Sequence, residues 1–318
     1  MKVIYEPGFN FGLLGIEKRW HPFDTQKYRR AWKLSLASRP DLAGRRIRVR
    51  SPVAEADLKL VHDSDYLATL VDRSVIARIV EVPQLARLPA WLLDRVVLRP
   101  MRLQTAGTIA AAREALISGL VFQLGGGFHH AKPGSGEGFC CYADVAIAVA
   151  ALRRDGLLAP DDRIVYVDLD VHLGNGVAHC FADDPRVFLF DMFNPRIFAA
   201  FDTVALKRID CPVPLPKGCA GGEYLDLLAE WLPPFLDSVG KSAPVRLAIY
   251  NAGTDVYIDD LLGGVNCSAD DVLRRDLFVV EQLRSRGIPT VVVTSGGYSE
   301  ESHRLIASTV LELATRTG

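Results

Sequence analysis

Apolar positions along the chain fall into two rhythms. Short continuous apolar runs at 3–5, 47–50, 120–124, 163–168, 187–190, 208–212, 245–250 and 290–294 predict strands, several of the kind buried on both faces of a sheet. Between them, helical spacing covers 25–37, 91–118, 143–154, 222–239, 269–286 and 300–315. Strand and helix in alternation predict an α/β fold, a mostly parallel sheet flanked by helices on both faces. No repeat, low-complexity tract or composition break marks a linker, so residues 1–318 read as one domain. The stretch 71–100, with proline at 83, 89 and 100, holds neither rhythm and is expected to be an irregular surface insertion.

The alternation takes an unusual turn at 164–172, IVYVDLDVH. Period two puts Asp168, Asp170 and His172 on one side and Val167, Leu169 and Val171 on the other. Two neighbouring carboxylates are costly to bury without a positive partner. In an open parallel sheet, ligands bind beyond the carboxyl ends of the strands, and there the other unusual residues collect. GGGFHHAKPGSGEGFCCY follows 120–124, LDVHLGNG follows 163–168, NAGTDVYIDD follows 245–250 and SGGYSE follows 290–294. Four strand ends thus deliver His129 and His130, Asp170 and His172, Asp255, and Tyr298. Taken singly, Asp255 reads as a helix N-cap, the glycines as turns and Tyr298 as core. His21, His62, His179 and His303 are read in that ordinary way. The coincidence at four strand ends argues for a site.

Two carboxylates and one imidazole, Asp170, His172 and Asp255, suit a tetrahedral ion with an open position. So oxygen-rich a set also suits Fe²⁺ or Mn²⁺. An open position binds water and lowers its pKa towards neutrality. An adjacent histidine pair offers a proton shuttle, and a phenol such as Tyr298 can donate to a developing oxyanion. These residue types point to metal-assisted hydrolysis of a carbonyl substrate.

Composition narrows the setting. The chain is 49% hydrophobic and 24% charged with a net charge of -1, which gives no case for a nucleic-acid surface. The arginine-rich stretches 45–50 and 274–275 read as solvated faces. The opening MKVIYEPGFNFG lacks the pattern of a signal peptide, and no apolar run reaches the ~18 residues of a membrane helix. Six cysteines without CxxC pairs read as free thiols, so the expected compartment is the cytoplasm.

Seven motifs then share one order: HPFD (21–24), VLRPMRLQTAGT (97–108), GGGFHH (125–130), GEGFCCYAD (136–144), DLDVHLGNG (168–176), YNAGTDV (250–256) and TSGGY (294–298). Through them the chain resembles the zinc-dependent histone deacetylase family, nearest its class IV type, from about His21 to near the C-terminus. The resemblance implies the arginase–deacetylase fold, an eight-stranded parallel sheet between helices. It implies zinc ligation by Asp170, His172 and Asp255, and proton transfer by His130 as base and then acid. His129, oriented by Asp168, would give electrostatic support, and Tyr298 would bond the substrate carbonyl. Gly138, Phe139 and Phe198 would line a tunnel for a lysine side chain. A monovalent cation such as K⁺ is implied near Asp168.

Departures sharpen this picture. Asn175 stands where many members carry Asp, as the partner of His130, and a neutral amide leaves that imidazole less basic. The class IV pattern also has Asn there. Leu173 replaces a frequent second histidine and receives no role. Leu262 falls where acetylpolyamine hydrolases of this family carry an acidic gatekeeper, which favours acylated lysine in proteins or peptides. Nearby Asp259 and Asp260 keep a small-molecule amidohydrolase open as the alternative. The class IV likeness also implies that longer fatty acyl chains are accepted. A binuclear ureohydrolase of the same fold needs additional bridging carboxylates that GTDVYIDD lacks, and a non-catalytic scaffold would be expected to have lost one of these groups.

Overall fold

A computed structural model describes residues 1–11 and 21–317, so residues 12–20 and 318 of the expected 1–318 domain lie outside the described part. Its strands are β1 (Lys2–Ile4), β2 (Arg46–Ile47), β3 (Leu120–Gln123), β4 (Arg163–Asp168), β5 (Val187–Phe193), β6 (Cys211–Pro214), β7 (Val245–Asn251) and β8 (Thr290–Val293). They form one eight-stranded sheet in the order β2-β1-β3-β8-β7-β4-β5-β6, and every pairing is parallel. Val121, Val165, Val167, Ile249 and Val291 are fully buried, as strands covered on both faces require. The helices pack in two groups. Arg99–Ser118 lies against Asp144–Arg154, while Lys27–Ser38, Ser302–Arg316, Ala269–Ser285 and Gly221–Gly240 pack in succession. This is the predicted single-domain α/β fold. The strands β3, β8, β7 and β4, which carry the four unusual loops, are consecutive at its centre.

Three local expectations need correction. The strand expected at 208–212 starts at Cys211, because the Asp202 carboxylate accepts from the Ala205 N–H and caps a helix over Thr203–Arg208. The helix expected at 91–118 is present but widens. Ala90–Leu93 runs into a π turn at Asp94–Leu98 before Arg99–Ser118, and Pro100, which has no N–H to give, stands where the wide turn ends. The segment 71–100 is no irregular insertion. Asp72 caps a helix at Arg73–Ile79, a 3₁₀ turn follows at Pro83–Arg87, and Ile76, Ala77, Ile79 and Val80 are buried.

The sheet's two edges are short. β2 has two residues. β6 reads CPVP; the N–H of Leu215, just beyond it, donates to Phe193 of β5. The hydrogen-bonding edge of the backbone alternates residue by residue, so the polar groups of Val213 face β5 and the nitrogen positions of Pro212 and Pro214 face away from it. All six cysteines are free thiols. Among the described residues no helix is long and apolar enough to cross a membrane.

Candidate active site

β4 ends at Asp168, so the period-two strand does not continue through His172. A turn takes over, tied by its own carboxylates. The Asp170 N–H donates to Asp168 Oδ1 (3.1 Å), the His172 N–H to Asp170 Oδ1 (3.0 Å) and the Val171 N–H to Asp255 Oδ1 (3.0 Å). Leu169, Val171 and Leu173 fill the core beneath. From the loop after β8, Ser295 Oγ and the Gly296 N–H donate to Asp170 Oδ2 at 2.6 and 2.8 Å. A Cβ at Gly296 would stand 2.1 Å from Asp255 Oδ2, so only glycine permits this approach.

Ligand atoms of Asp170, His172 and Asp255, all buried, lie within 4.8 Å of one another. His172 Nδ1 is 3.1 Å from Asp170 Oδ1 and 3.2 Å from Asp255 Oδ2. One ring hydrogen cannot serve two carboxylates, whereas a small cation serves all three groups. Donor atoms around a tetrahedral ion with bonds of about 2.0–2.1 Å stand about 3.3 Å apart, so the residues present fit zinc. The protein alone leaves the pocket short of positive charge: burial and the Asp170 charge push the Asp255 carboxyl up to about 7.

The two histidines of GGGFHH differ in state. His129 Nδ1 meets Asp168 Oδ2 at 2.8 Å, and that carboxylate also accepts from the Tyr166 hydroxyl and from Asn251 Nδ2. Burial opposes its charge, but Asp168 and Asp170 outweigh burial and raise His129 to about 9. His130 Nδ1 lies 2.8 Å from Asn175 Oδ1. Burial, then the charges of His129 and His172, hold His130 well below the ordinary histidine range. The protein's own charges thus favour the charged form at one ring and the neutral form at the other, with ring centroids 4.0 Å apart. Their turn is anchored by Asp144, which accepts from the N–H groups of Gly127 (3.0 Å) and Phe128 (2.8 Å) and from the Thr108 hydroxyl (2.6 Å).

A cavity of about 320 Å³ descends between Phe139 and Phe198 to His130, His172 and Tyr298. Burial, then the charges of Asp170 and Asp255, push the Tyr298 phenol well above its usual range, which keeps it a hydrogen donor. Gly138 takes φ +53°, and a Cβ there would meet His130 Cδ2 at 2.4 Å. Phe139 follows with φ 65°, stacks on Phe23 at 5.1 Å and donates its N–H to the Ile79 carbonyl at 2.9 Å. Leu262 lies at the rim. Asp260 is occupied by the N–H groups of Tyr298, Leu262 and Gly263. A second cavity of about 30 Å³ is lined by His129, His130 and Asp170 together with Phe11, Tyr28 and Cys140.

The sequence pattern missed several groups here. His21, read as an ordinary histidine, packs on Phe139 with centroids 4.4 Å apart and stands 3.5 Å from Glu81 at the cavity rim. Lys27 is fully buried and donates to the carbonyls of Ser295 (2.5 Å) and Gly296 (2.9 Å); burial brings its ammonium down to about 8. Nothing in KYRRAW distinguishes Lys27 from a solvated helix residue. His62 is structural, bonded to Pro133 O and Ala143 N, and His303 is bonded to the Glu300 carbonyl. His179 pairs with Asp202 at 2.9 Å.

Comparison with known proteins follows the same lines. A model of the histone deacetylase domain matches residues 21–314. "Histone deacetylase 2" of Arabidopsis thaliana is 38% identical over 316 residues, 99% of this chain and 79% of the plant protein. A solved HDAC homolog complexed with SAHA superposes with a TM-score of 0.71 at 23% identity, over 100% of this chain and 83% of its own. An acetylpolyamine aminohydrolase from Burkholderia pseudomallei gives a TM-score of 0.72 at 20% identity, over 98% and 97% of the two chains. At such identities the two structures speak for the fold alone. The domain match and the plant relative decide the family: this chain is a hydrolase belonging to the histone deacetylase family.

Proposed function

We propose that the chain is a zinc-dependent lysine deacylase of the class IV type, acting on acylated lysine in proteins or peptides through one catalytic domain. The observation that carries this reading is the floor of the aromatic-walled cavity, where His130, His172 and Tyr298 meet. Asp170, His172 and Asp255 would hold the metal. Zinc there would supply Lewis acidity to the amide carbonyl and lower the pKa of a bound water. The neutral His130 takes the proton of the attacking water and passes it to the departing lysine amine. His129, whose Nδ1 meets Asp168 Oδ2, gives electrostatic support to the negative charge that builds up beside it. Tyr298 donates to the carbonyl oxygen as it becomes an oxyanion. Gly138 leaves room for Phe139 and Phe198 to enclose the aliphatic stem of lysine and exclude water.

The second cavity, of about 30 Å³, is the size of one or two small groups and supports acetyl as the preferred acyl group. Longer fatty chains need more room than this cavity offers. Leu262 and the occupied Asp260 favour acyl-lysine, whereas Glu81 at the rim is the observation that favours a cationic acetylpolyamine. The same ligands suit Fe²⁺. Asp168 and Asp191, both buried carboxylates, support a monovalent cation such as K⁺ nearby. Free thiols fit the cytoplasm as its compartment.

The test is an assay on metal-quantified protein. Acetyl-, butyryl- and myristoyl-lysine peptides are compared with acetylputrescine and acetylspermidine. Chelator-sensitive cleavage of acetyl peptides is expected. Cleavage of the polyamines alone would transfer the enzyme to small-molecule substrates, and no cleavage at all would overturn the hydrolytic reading.

A further inference from the structure

Behind His130 lies a polar cluster with no part in the mechanism above. Asn175 Oδ1 faces His130 Nδ1, while Asn175 Nδ2 donates to Glu137 Oε1 at 2.7 Å and reaches Asp202 Oδ2 at 3.4 Å. Lys132 Nζ pairs with both carboxylates, 3.0 Å from Glu137 and 3.2 Å from Asp202. His179 Nε2 adds a contact to Asp202 at 2.9 Å. The loop over 132–140 thus carries Lys132 and Glu137 on one side and the tunnel residues Gly138 and Phe139 on the other.

An amide at 175 raises a difficulty that a carboxylate does not. A carboxylate accepts through either oxygen, but an amide has one accepting and one donating edge. Turned over, Asn175 would offer Nδ2 to His130. Nδ1 would then have to accept, and the ring proton would move to Nε2, the nitrogen that must be bare to act as base. Ionised Glu137 and Asp202 only accept, so they hold the NH₂ edge towards themselves and leave Oδ1 for His130. Lys132 offsets the repulsion between the two carboxylates.

We propose that Glu137, supported by Asp202 and Lys132, is a positioning residue that locks the Asn175 amide and thereby the Nδ1–H tautomer of His130. The proposal rests on the hydrolase reading for its effect on rate, but the tautomer itself does not depend on that reading. Glu137 is the cleaner probe, since Asp202 also caps the helix Thr203–Arg208.

The experiment records the ring ¹⁵N shifts of His130 in zinc-loaded and metal-free protein, beside kcat and KM on an acetyl-lysine peptide. Glu137→Leu should bring up an Nε2–H population and lower kcat about tenfold, within the roughly 10²–10⁴ that a general base contributes, with KM unchanged. Glu137→Gln still offers a carbonyl acceptor and should restore the wild-type tautomer and most of kcat. Placed in an Asn175→Asp background, Glu137→Leu should cost nothing further, because a carboxylate has no wrong edge. Glu137→Ser, too short to reach Asn175, gives the same test if leucine is not accommodated. An unchanged tautomer in both Glu137→Leu and Glu137→Ser, or an equal loss of kcat in the Asn175→Asp background, would overturn the proposal. If no substrate is hydrolysed, the functional reading fails while the ring shifts still decide this one.

Discussion

Gly138 has no space for even a methyl group: the Cβ would press on His130 Cδ2, and the backbone has the positive φ that side chains avoid. Gly138→Ala should therefore lower kcat by at least about tenfold through displacement of His130, the proposed base, with metal content unchanged by elemental analysis. Tyr298→Phe should also keep the metal, and its turnover should fall by roughly 10²–10³ with the loss of the proposed oxyanion donor. Wild-type rates in that variant would remove Tyr298 from the chemistry. Asp255→Ala should instead lose the metal itself, and full stoichiometric zinc in that protein would refute the ligand assignment. The buried cluster of Asp170, His172 and Asp255, the histidine pair and the Tyr298 phenol could be singled out in sequence because each carries a chemistry few residue types can supply. Glu137 and Lys27 were not. Their importance lies in what they touch, Asn175 in one case and two loop carbonyls in the other, and contact across the fold leaves no local pattern.

At the level of elements, the site depends on segments that contribute no reacting atom. Asp144, at the start of the helix Asp144–Arg154, accepts three hydrogen bonds that fix the GGGFHH turn. Asp144→Ala would leave two buried N–H groups without a partner, at about 1–3 kcal/mol each. The expected result is a lower midpoint in urea unfolding together with reduced turnover. An unchanged midpoint would show that the turn holds itself. The helix Arg73–Ile79 steadies the tunnel wall through the bond from Phe139 to Ile79. Sequence pattern passed over this segment because its helices are short and punctuated by Pro83 and Pro89, too brief for a 3.6-residue rhythm to show. The long helix before β3 was legible for the opposite reason, and only its π turn, a geometric response to Pro100, was not.

Across the whole molecule, the alternation of strands and helices announced the parallel sheet, but the strand order could not be read from it. Crossovers decide that β3, β8, β7 and β4 become neighbours although they lie up to 170 residues apart, since Thr290 pairs with Leu120. That adjacency turns four separate motifs into one site at the centre. The rims of the sheet serve a different need. An open strand invites another chain to add to it, yet at β6 the outward positions are Pro212 and Pro214, which have no N–H to offer, and at the far rim β2 gives two residues only. Growth of the sheet from molecule to molecule is thereby blocked at both ends. Replacing Pro212 and Pro214 with valine should leave catalysis intact and raise light scattering on mild heating, as molecules begin to zip together along the restored rim.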